Sequence, residues 1–540
     1  MERFATLLDR LSLSPQRNAK LRLLEEHFRA VPDPERGLAL AAITGGLDFK
    51  GAKAGTIRQL ASERVDPVLF ELSYDYVGDL AETTALIWPA KRGANRAPDL
   101  SEVIEGLRET TRAEAPKLIE GWLDALDAVG RWALLKLVTG GLRVGVSARL
   151  AKTALARFGD VDVTEIEELW HGLEPPYEDL FAWLEGRADK PESAAKAPFR
   201  PVMLANPVEA GDLDDLDPAD YAAEWKWDGI RIQAVSEAGV RRLYTRTGDD
   251  ISHAFPDVLA ALEFDGAIDG ELLIRDSNSE SGVAPFSDLQ QRLNRKTVSR
   301  AMMENHPAFI RAYDLLVEGE ADLRRTPFET RRERLEAFVQ AAKSDRIDVS
   351  ALVDFSSWDE VARLRADPPH AHAEGVMLKR RDSVYTPGRP KGPWFKWKRD
   401  PFVVDAVMMY AQRGHGKRSS FYSDYTFGVW REDEGGETLV PVGKAYFGFT
   451  DAELKQLDKF VRENTIERFG PVRAVRAEPD HGLVLEIAFE GLQASARHKS
   501  GLAMRFPRVH RIRWDKPAGE ADRIDTLQGL LEERFDRSPG

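Results

Sequence analysis

The spacing of apolar residues changes period once along this chain, and that change divides it. Up to about residue 187 apolar side chains recur at helical intervals: Leu7, Leu8 and Leu11, then Leu21, Leu23, Leu24 and Phe28, later Ile119, Trp122, Leu123, Leu126 and Val129. The segment Ala188 to Asn206 holds Pro191, Pro198 and Pro201 among small residues, with Pro207 just beyond, and reads as a linker or an extended crossing. From residue 221 the apolar runs become short and strand-like: Ala223 to Trp227, Ile230 to Val235, Arg242 to Thr245, Ala267 to Ile274, Phe309 to Leu316 and Gly375 to Lys379. A helix over Glu329 to Ala342 interrupts them, with Leu335, Phe338 and Val339 as its stripe.

A third region begins after Pro401. Strands are predicted at Val403 to Met409, Tyr425 to Trp430, Val440 to Phe447 and Leu483 to Phe489, with one helix at Asp451 to Thr465. Short strands around a single helix suit a small barrel of the OB type. Ile524 to Phe535 predicts a terminal helix, to which no role is assigned. The expected architecture is therefore multidomain, α then α+β then β, with domains at 1–198, 199–400 and 401–516 and a tail at 517–540. No internal repeat is visible.

Composition narrows the function classes. The chain has 540 residues, 43% hydrophobic and 31% charged, and lacks any run of about 18 apolar residues that would suggest a membrane span. A charged N-terminus without a signal-peptide core predicts a cytoplasmic, nucleoid-associated protein. There is no cysteine, so disulfides, thiol nucleophiles and cysteine zinc sites are excluded. The net charge of −14 argues weakly against a nucleic-acid partner, but the cations are segregated. Lys379 to Arg399 carries eight basic residues against Asp382, and Arg497 to Lys516 seven against Asp515. Such runs suit a polyanion-binding face or two solvated stretches equally.

The densest chemistry lies in Glu224-Trp225-Lys226-Trp227-Asp228-Gly229-Ile230-Arg231. A lysine inside an apolar strand needs a partner or a task. With an ordinary pKa of about 10.4 it is a poor nucleophile until burial or nearby cations lower that value. Lys396 and Lys398 alternate with aromatics in Trp394-Phe395-Lys396-Trp397-Lys398 and supply such cations from one strand face. Taken by itself, a K-x-D-G sequence reads more simply as a salt-bridged edge lysine. Thr139 to Ser147 forms a glycine-rich turn, read either as a phosphate contact or as an ordinary turn with Ser147 capping the next helix. His370 and His372 lack further spaced ligands and read as an exposed loop rather than a metal pair.

Further elements follow in order: Thr245-Arg246-Thr247-Gly248, Ile268-Asp269-Gly270-Glu271-Leu272, Ala312-Tyr313-Asp314-Leu315-Leu316, Glu374 to Lys379, Trp394 to Lys398, and Arg505-Phe506-Pro507-Arg508 through Arg511, Arg513, Asp515 and Lys516. This series resembles the covalent nucleotidyltransferase superfamily, and within it the ATP-dependent DNA ligases. Glu224 two residues before the lysine, Pro201 to Ala205 ahead of it, and R-F-P-R followed by D-K are their pattern, while Tyr313 stands where phenylalanine is common. The N-terminal region is similar to their helical DNA-binding domain, best at Leu142 to Val146, as in bacterial accessory ligases.

The resemblance implies a helical DNA-binding domain, an ATP-grasp-like nucleotidyltransferase domain and a C-terminal OB-fold. It implies that Lys226 attacks the α-phosphorus of ATP. Tyr313 would stack on adenine, Glu224 accept from its amino group, and Arg231 and Arg246 hold ribose or phosphate oxygens. Lys396 and Lys398 would neutralise the α-phosphate, and Arg511, Asp515 and Lys516 orient the leaving pyrophosphate. Glu271 and Glu374 would serve the ribose and a divalent metal, Mg²⁺ with Mn²⁺ as the alternative, and Glu271 is counted with the metal residues too. The substrate would be nicked duplex DNA, encircled by a monomer and contacted through Arg143, Gly145, Arg292, Arg295, Lys296, Arg505 and Phe506. For Phe506 a core role stands equally. An RNA ligase or capping guanylyltransferase shares the lysine chemistry. A binding protein that has lost catalysis is the second rival, and an NAD-dependent ligase is disfavoured by the missing zinc cysteines.

Overall fold

In the computed structural model the described residues are all but 48, 50, 52, 78, 90–95, 141, 192–195, 294, 296, 371, 414–421, 434–435, 447, 471, 496–498 and 536–540, with the side chains at 72, 75–77, 451 and 532–535 likewise excepted. Among them, helices follow one another from Glu2–Leu13 to Glu178–Leu184 with no strand between. Leu100–Glu109 shows how these helices are specified. Asp99 and Glu102 form a capping box at its start, and Leu100, Val103, Ile104 and Leu107 bury a single stripe. Each such buried aliphatic side chain contributes about 1.5–3 kcal/mol of transfer free energy. No helix of the described residues is long and apolar enough to cross a membrane.

The strands of the second region are β1 (Asn206–Pro207), β2 (Tyr221–Trp227), β3 (Ile230–Glu237), β4 (Val240–Thr245), β5 (Gly266–Ile274), β6 (Ala308–Glu318), β7 (Ala321–Asp322), β8 (Ile347–Val349), β9 (Leu352–Val353), β10 (Ala373–Arg380) and β11 (Trp394–Lys398). They form two sheets, ordered β1-β11-β10-β2-β9 and β4-β3-β5-β6-β7, with β8 beside β6. Ala222 and Trp394 of the first sheet share a core with Val235, Ala267 and Leu316 of the second. The opposite face of the second sheet is covered by the helices Pro256–Ala260 and Phe328–Ala342, which bring Val258 and the expected Leu335 onto Ile232, Ile268 and Leu315. The short helix Val163–Leu169 and the turn after it group with this region, where His171 packs on Phe199 and Tyr244.

The last region contains β12 (Phe402–Arg413), β13 (Tyr422–Asp433), β14 (Gly436–Ala445), β15 (Thr465–Phe469), β16 (Val472–Val475), β17 (Val484–Phe489), β18 (Gly491–Ala494), β19 (Leu502–Arg505) and β20 (Arg508–Arg513). The long β12 pairs with β13 on one edge and with β17 and then β16 on the other, and its bulges after Met408 and Gln412 curl the sheet. The result is a half-barrel of the OB type. Its helix Asp451–Asn464 begins with a Thr450–Glu453 capping box and plugs the barrel with Leu457 and Val461. The terminal helix Ile524–Phe535 has a role that sequence left unassigned: Ile524 and Leu527 complete the same core. Strands β15, β16 and β18 to β20 were not expected. In β20 the bulge opposite Glu486 and Ile487 breaks the alternation that would have revealed it among its arginines.

Candidate active site

Strand β2 places Glu224 and Lys226 on one face, because side chains two residues apart point the same way. Across the ladder Glu224 lies opposite Met377 of β10, and Met377 lies opposite Lys396 of β11. The pairing of β2 with β10 slips between Ala373 and Val376, where Gly375 takes φ +140°. That bulge turns Glu374 toward Lys226 on β2. Its Oε2 lies 2.7 Å from Lys226 Nζ and 3.4 Å from Lys398 Nζ. On the second sheet Arg231 and Glu271 are directly opposed across β3 and β5. The two sheets meet through the Asp228-Gly229 turn. A Cβ at Gly229 would stand 2.6 Å from Leu272 O and 2.7 Å from Glu271 Cγ, so glycine allows the strands to close.

These residues enclose a cavity of about 440 Å³ lined by Glu224, Lys226, Arg231, Arg246, Glu271, Tyr313 and Lys396, together with Met377, Lys379, Arg389 and Trp394. That volume is within the range of small-molecule sites. Thus seven of the residues expected to meet a nucleotide line one cavity, with Glu374 and Lys398 joined to them through the Lys226 ion pair; Arg511 and Lys516 are not among its lining.

The electrostatics correct one expectation. Burial works to lower the pKa of Lys226, but the charges of Glu374, Glu271 and Asp228 outweigh it, and the amine is held above its ordinary range. Lys396 is lowered, by burial first and then by Arg389, Lys226, Lys398 and Arg246, and Lys379 is lowered too, by burial, against the charges of Glu224 and Asp314. Glu271 is pushed up to about 7, chiefly by burial, with the charges of Glu374 and Asp228 adding to it and those of Lys226 and Arg231 opposing it. Glu374 opposes its own burial with two lysines and ends below its usual range. Glu271 and Glu374, whose charges both act on Lys226, supply oxygen donors of the kind a hard divalent cation takes.

Behind the cavity the arrangement differs from the sequence reading. Arg231, expected to hold ribose or phosphate, donates from Nη1 to Met203 O at 2.6 Å and from Nη2 to Asp269 at 2.6 Å and Tyr385 Oη at 3.1 Å. Its guanidinium lies 5.8 Å from the Tyr313 ring, so it braces that ring. Lys379, counted among the basic run, is buried: its Nζ is 3.1 Å from Glu224 Oε2 and 3.3 Å from Tyr313 O. Arg332, Asp269, Tyr385 and Trp394 were not singled out. Asp269 stood inside a recognised motif, and its strand position opposite Gln233 was the available signal.

Several expected DNA contacts also need revision. Arg292 is fully buried, donates to Asp257, Ala254 O and His306 O, and lies 4.6 Å from the Phe255 ring, so it belongs to the core. Arg295 is exposed, and Lys296 lies outside the described residues. Phe506 is 65% exposed at φ +51°, with the Arg505 guanidinium 5.8 Å from its ring, which rules out the core role. Arg511 and Lys516, expected to orient the leaving pyrophosphate rather than to meet DNA, pair with Glu486 at 2.9 Å and with Asp405 at 2.8 Å, both inside the barrel region. In the helical region Ser147 does cap Ala148–Gly159, accepting from Leu150 N–H at 3.2 Å. The turn is also braced by Lys20, which donates to Val144 O and Gly145 O, and Arg143 stands exposed beside Arg17 and Arg149 around a surface hollow. His370 does not stand out in solvent; it stacks on Trp227 with ring centres 5.4 Å apart.

Residues 202–398 match the ATP dependent DNA ligase domain, and residues 418–516 match the ATP dependent DNA ligase C terminal region. A DNA ligase of Natronomonas pharaonis is 30% identical, over 79% of this chain and 78% of the relative. The chain belongs to the ATP-dependent DNA ligases. A probable DNA ligase of Koribacter versatilis is similar along nearly its whole length, 29% identical over 99% of this ligase and 97% of the relative. The solved structure Pmar-Lig_PreS3 shares the fold, with a TM-score of 0.57 at 16% identity over 94% of this chain and 99% of that one. The activity that follows for this ligase is ATP-dependent DNA joining, with ATP as the nucleotide and DNA as the substrate.

Proposed function

We propose that this ligase seals 5′-phosphate/3′-hydroxyl nicks in duplex DNA through a lysine–AMP and then a DNA-adenylate intermediate, with Lys226 as nucleophile. The observation that carries the reading is the placement of Lys226 in a nucleotide-sized cavity, 2.7 Å from Glu374 and on the same strand face as Glu224. In the first step Nζ bonds to the α-phosphorus, the bond to the bridging oxygen breaks, and pyrophosphate leaves. Attack needs a neutral amine, so the proton that Lys226 holds against Glu374 is given up to solvent before the N–P bond forms. Tyr313 offers a ring face to adenine and Glu224 an acceptor to its amino group. Lys396 and Lys398 bring positive charge to the phosphate in transit, where positioning and charge neutralisation govern the rate. Glu271 and Glu374 would hold Mg²⁺ or Mn²⁺, which when bound supplies positive charge to the phosphates and offsets the two carboxylates.

AMP then passes to the 5′-phosphate of the nick, and the adjacent 3′-hydroxyl displaces it. Arg143, the Gly145 turn, Arg295, Arg505 and Phe506 are the surface contacts offered to DNA. Purified protein incubated with labelled ATP or GTP, then with nicked DNA, nicked RNA or NAD in place of ATP, tests the assignment. ATP-specific labelling and DNA joining are expected, both lost in Lys226→Ala. Labelling by GTP alone, joining of RNA alone, or residual labelling of Lys226→Ala would overturn it.

A further inference from the structure

The cavity wall contains a buried ion pair whose purpose the reaction scheme does not explain. Lys379 and Glu224 are each 2% exposed at the side chain, and Nζ lies 3.1 Å from Oε2. The lysine is caged by three rings, 4.5 Å from the centre of Tyr313, 4.9 Å from Phe328 and 4.9 Å from Trp394. It also donates to the Tyr313 carbonyl at 3.3 Å. The second carboxylate oxygen of Glu224 has a weaker partner, Arg332 Nη1 at 3.4 Å. One ammonium thus touches both groups that face the base: the carboxylate at its edge and the ring at its face. A buried ion pair seldom adds net stability over a packed apolar pair, so its retention at this spot calls for a positional role.

We propose that Lys379 is a positioning residue for base recognition, fixing Glu224 as an anionic acceptor and Tyr313 as a stacking platform, and thereby setting the preference for ATP over GTP. This rests on the cavity being the adenine site. An ionised carboxylate only accepts hydrogen bonds. It welcomes the exocyclic amine of adenine and repels the exocyclic oxygen of guanine. Without the Lys379 charge, Glu224 would sit buried with only Arg332 beside it, and the protonated form, able to donate to the guanine oxygen, would gain ground.

The test is lysine–AMP and lysine–GMP formation by the full-length chain as Lys379→Met, Lys379→Arg, Glu224→Gln and the double variant Glu224→Gln/Lys379→Met. Lys379→Met is expected to raise KM for ATP at least 10-fold with a smaller change in kcat, and to lower the ATP/GTP ratio of kcat/KM at least 10-fold. Lys379→Arg should recover part of that ratio. In the double variant the lysine change should add little to the ATP/GTP ratio left by Glu224→Gln, since the preference between bases acts through that carboxylate, whereas a further rise in KM for both nucleotides reports the loss of the Tyr313 contact; removing both charges also spares the variant an unpaired buried ion, so it remains testable if Lys379→Met folds poorly. An unchanged ATP/GTP ratio in Lys379→Met, or independent, multiplying effects on that ratio in the double variant, would overturn the proposal. Wild-type protein that forms no lysine–AMP at all would instead overturn the adenine-site reading on which it stands.

Discussion

Arg292 and His27 show how burial redirects a charged side chain. Arg292 was expected at the DNA surface, yet its guanidinium joins Asp257 and two backbone carbonyls beneath the second sheet. Arg292→Ala should cost about 3 kcal/mol of stability through the broken buried pair and the space left behind. Chemical unfolding measures that cost, while the salt dependence of binding to nicked DNA should stay as in wild type. His27 is buried, and its pKa is lowered to about 4 by burial first and then by Arg3, with Glu35 opposing. Its folded-state pKa lies below the unfolded value, so the unfolded chain takes up the proton first. Stability is intact above the unfolded pKa of about 6.5 and falls by roughly 3 kcal/mol as pH drops toward 4. His27→Leu should flatten that part of the pH–stability curve for the helical region; an unchanged curve would count against the assignment.

At the scale of elements, the motif glycine after Asp228 is a spacing device. Gly229→Ala would drive its methyl against Leu272 O and Glu271 Cγ, separating β2 from β5 at the carboxylate. Lysine–AMP formation should fall at least 100-fold, because about 1 Å of misplacement near the reacting atoms is that costly, while far-ultraviolet circular dichroism should change little. Elements were largely legible in advance. Strands β2 to β6 and β10 and the helices Phe328–Ala342 and Ile524–Phe535 form near the residues that patterning indicated, since alternation and helical stripes are local signals. Partners were not legible. Nothing near Lys379 in sequence announces Glu224, 155 residues away, and nothing near Arg292 announces Asp257, 35 residues away, so two cations that looked like surface charge proved to be internal. His370 was misplaced for the same reason: its ring partner Trp227 comes from another strand.

At the scale of the whole molecule, a net charge of −14 coexists with the affinity for a polyanion that joining DNA requires. Cations are nonetheless grouped locally, as around Arg17, Lys20, Arg143 and Arg149, where the proposed reading sets a DNA contact. Arg143→Ala should weaken binding to nicked duplex equally across sequences and reduce the slope of log affinity against log salt by about 1, as loss of one phosphate contact does. Fluorescence anisotropy over a salt series checks it, and a sequence-dependent loss would point to base reading instead. The sheet order β1-β11-β10-β2-β9 carries a last consequence, for how the protein is made. Strand β2 lies beside strands encoded far downstream. At about 5–20 residues per second of synthesis, the 155 residues from Glu224 to Lys379 take roughly 8–30 s. For nearly all of that interval the nascent chain displays Lys226 without Glu374, Lys396 or Lys398, and a chain stalled there carries the proposed nucleophile but no site in which to react.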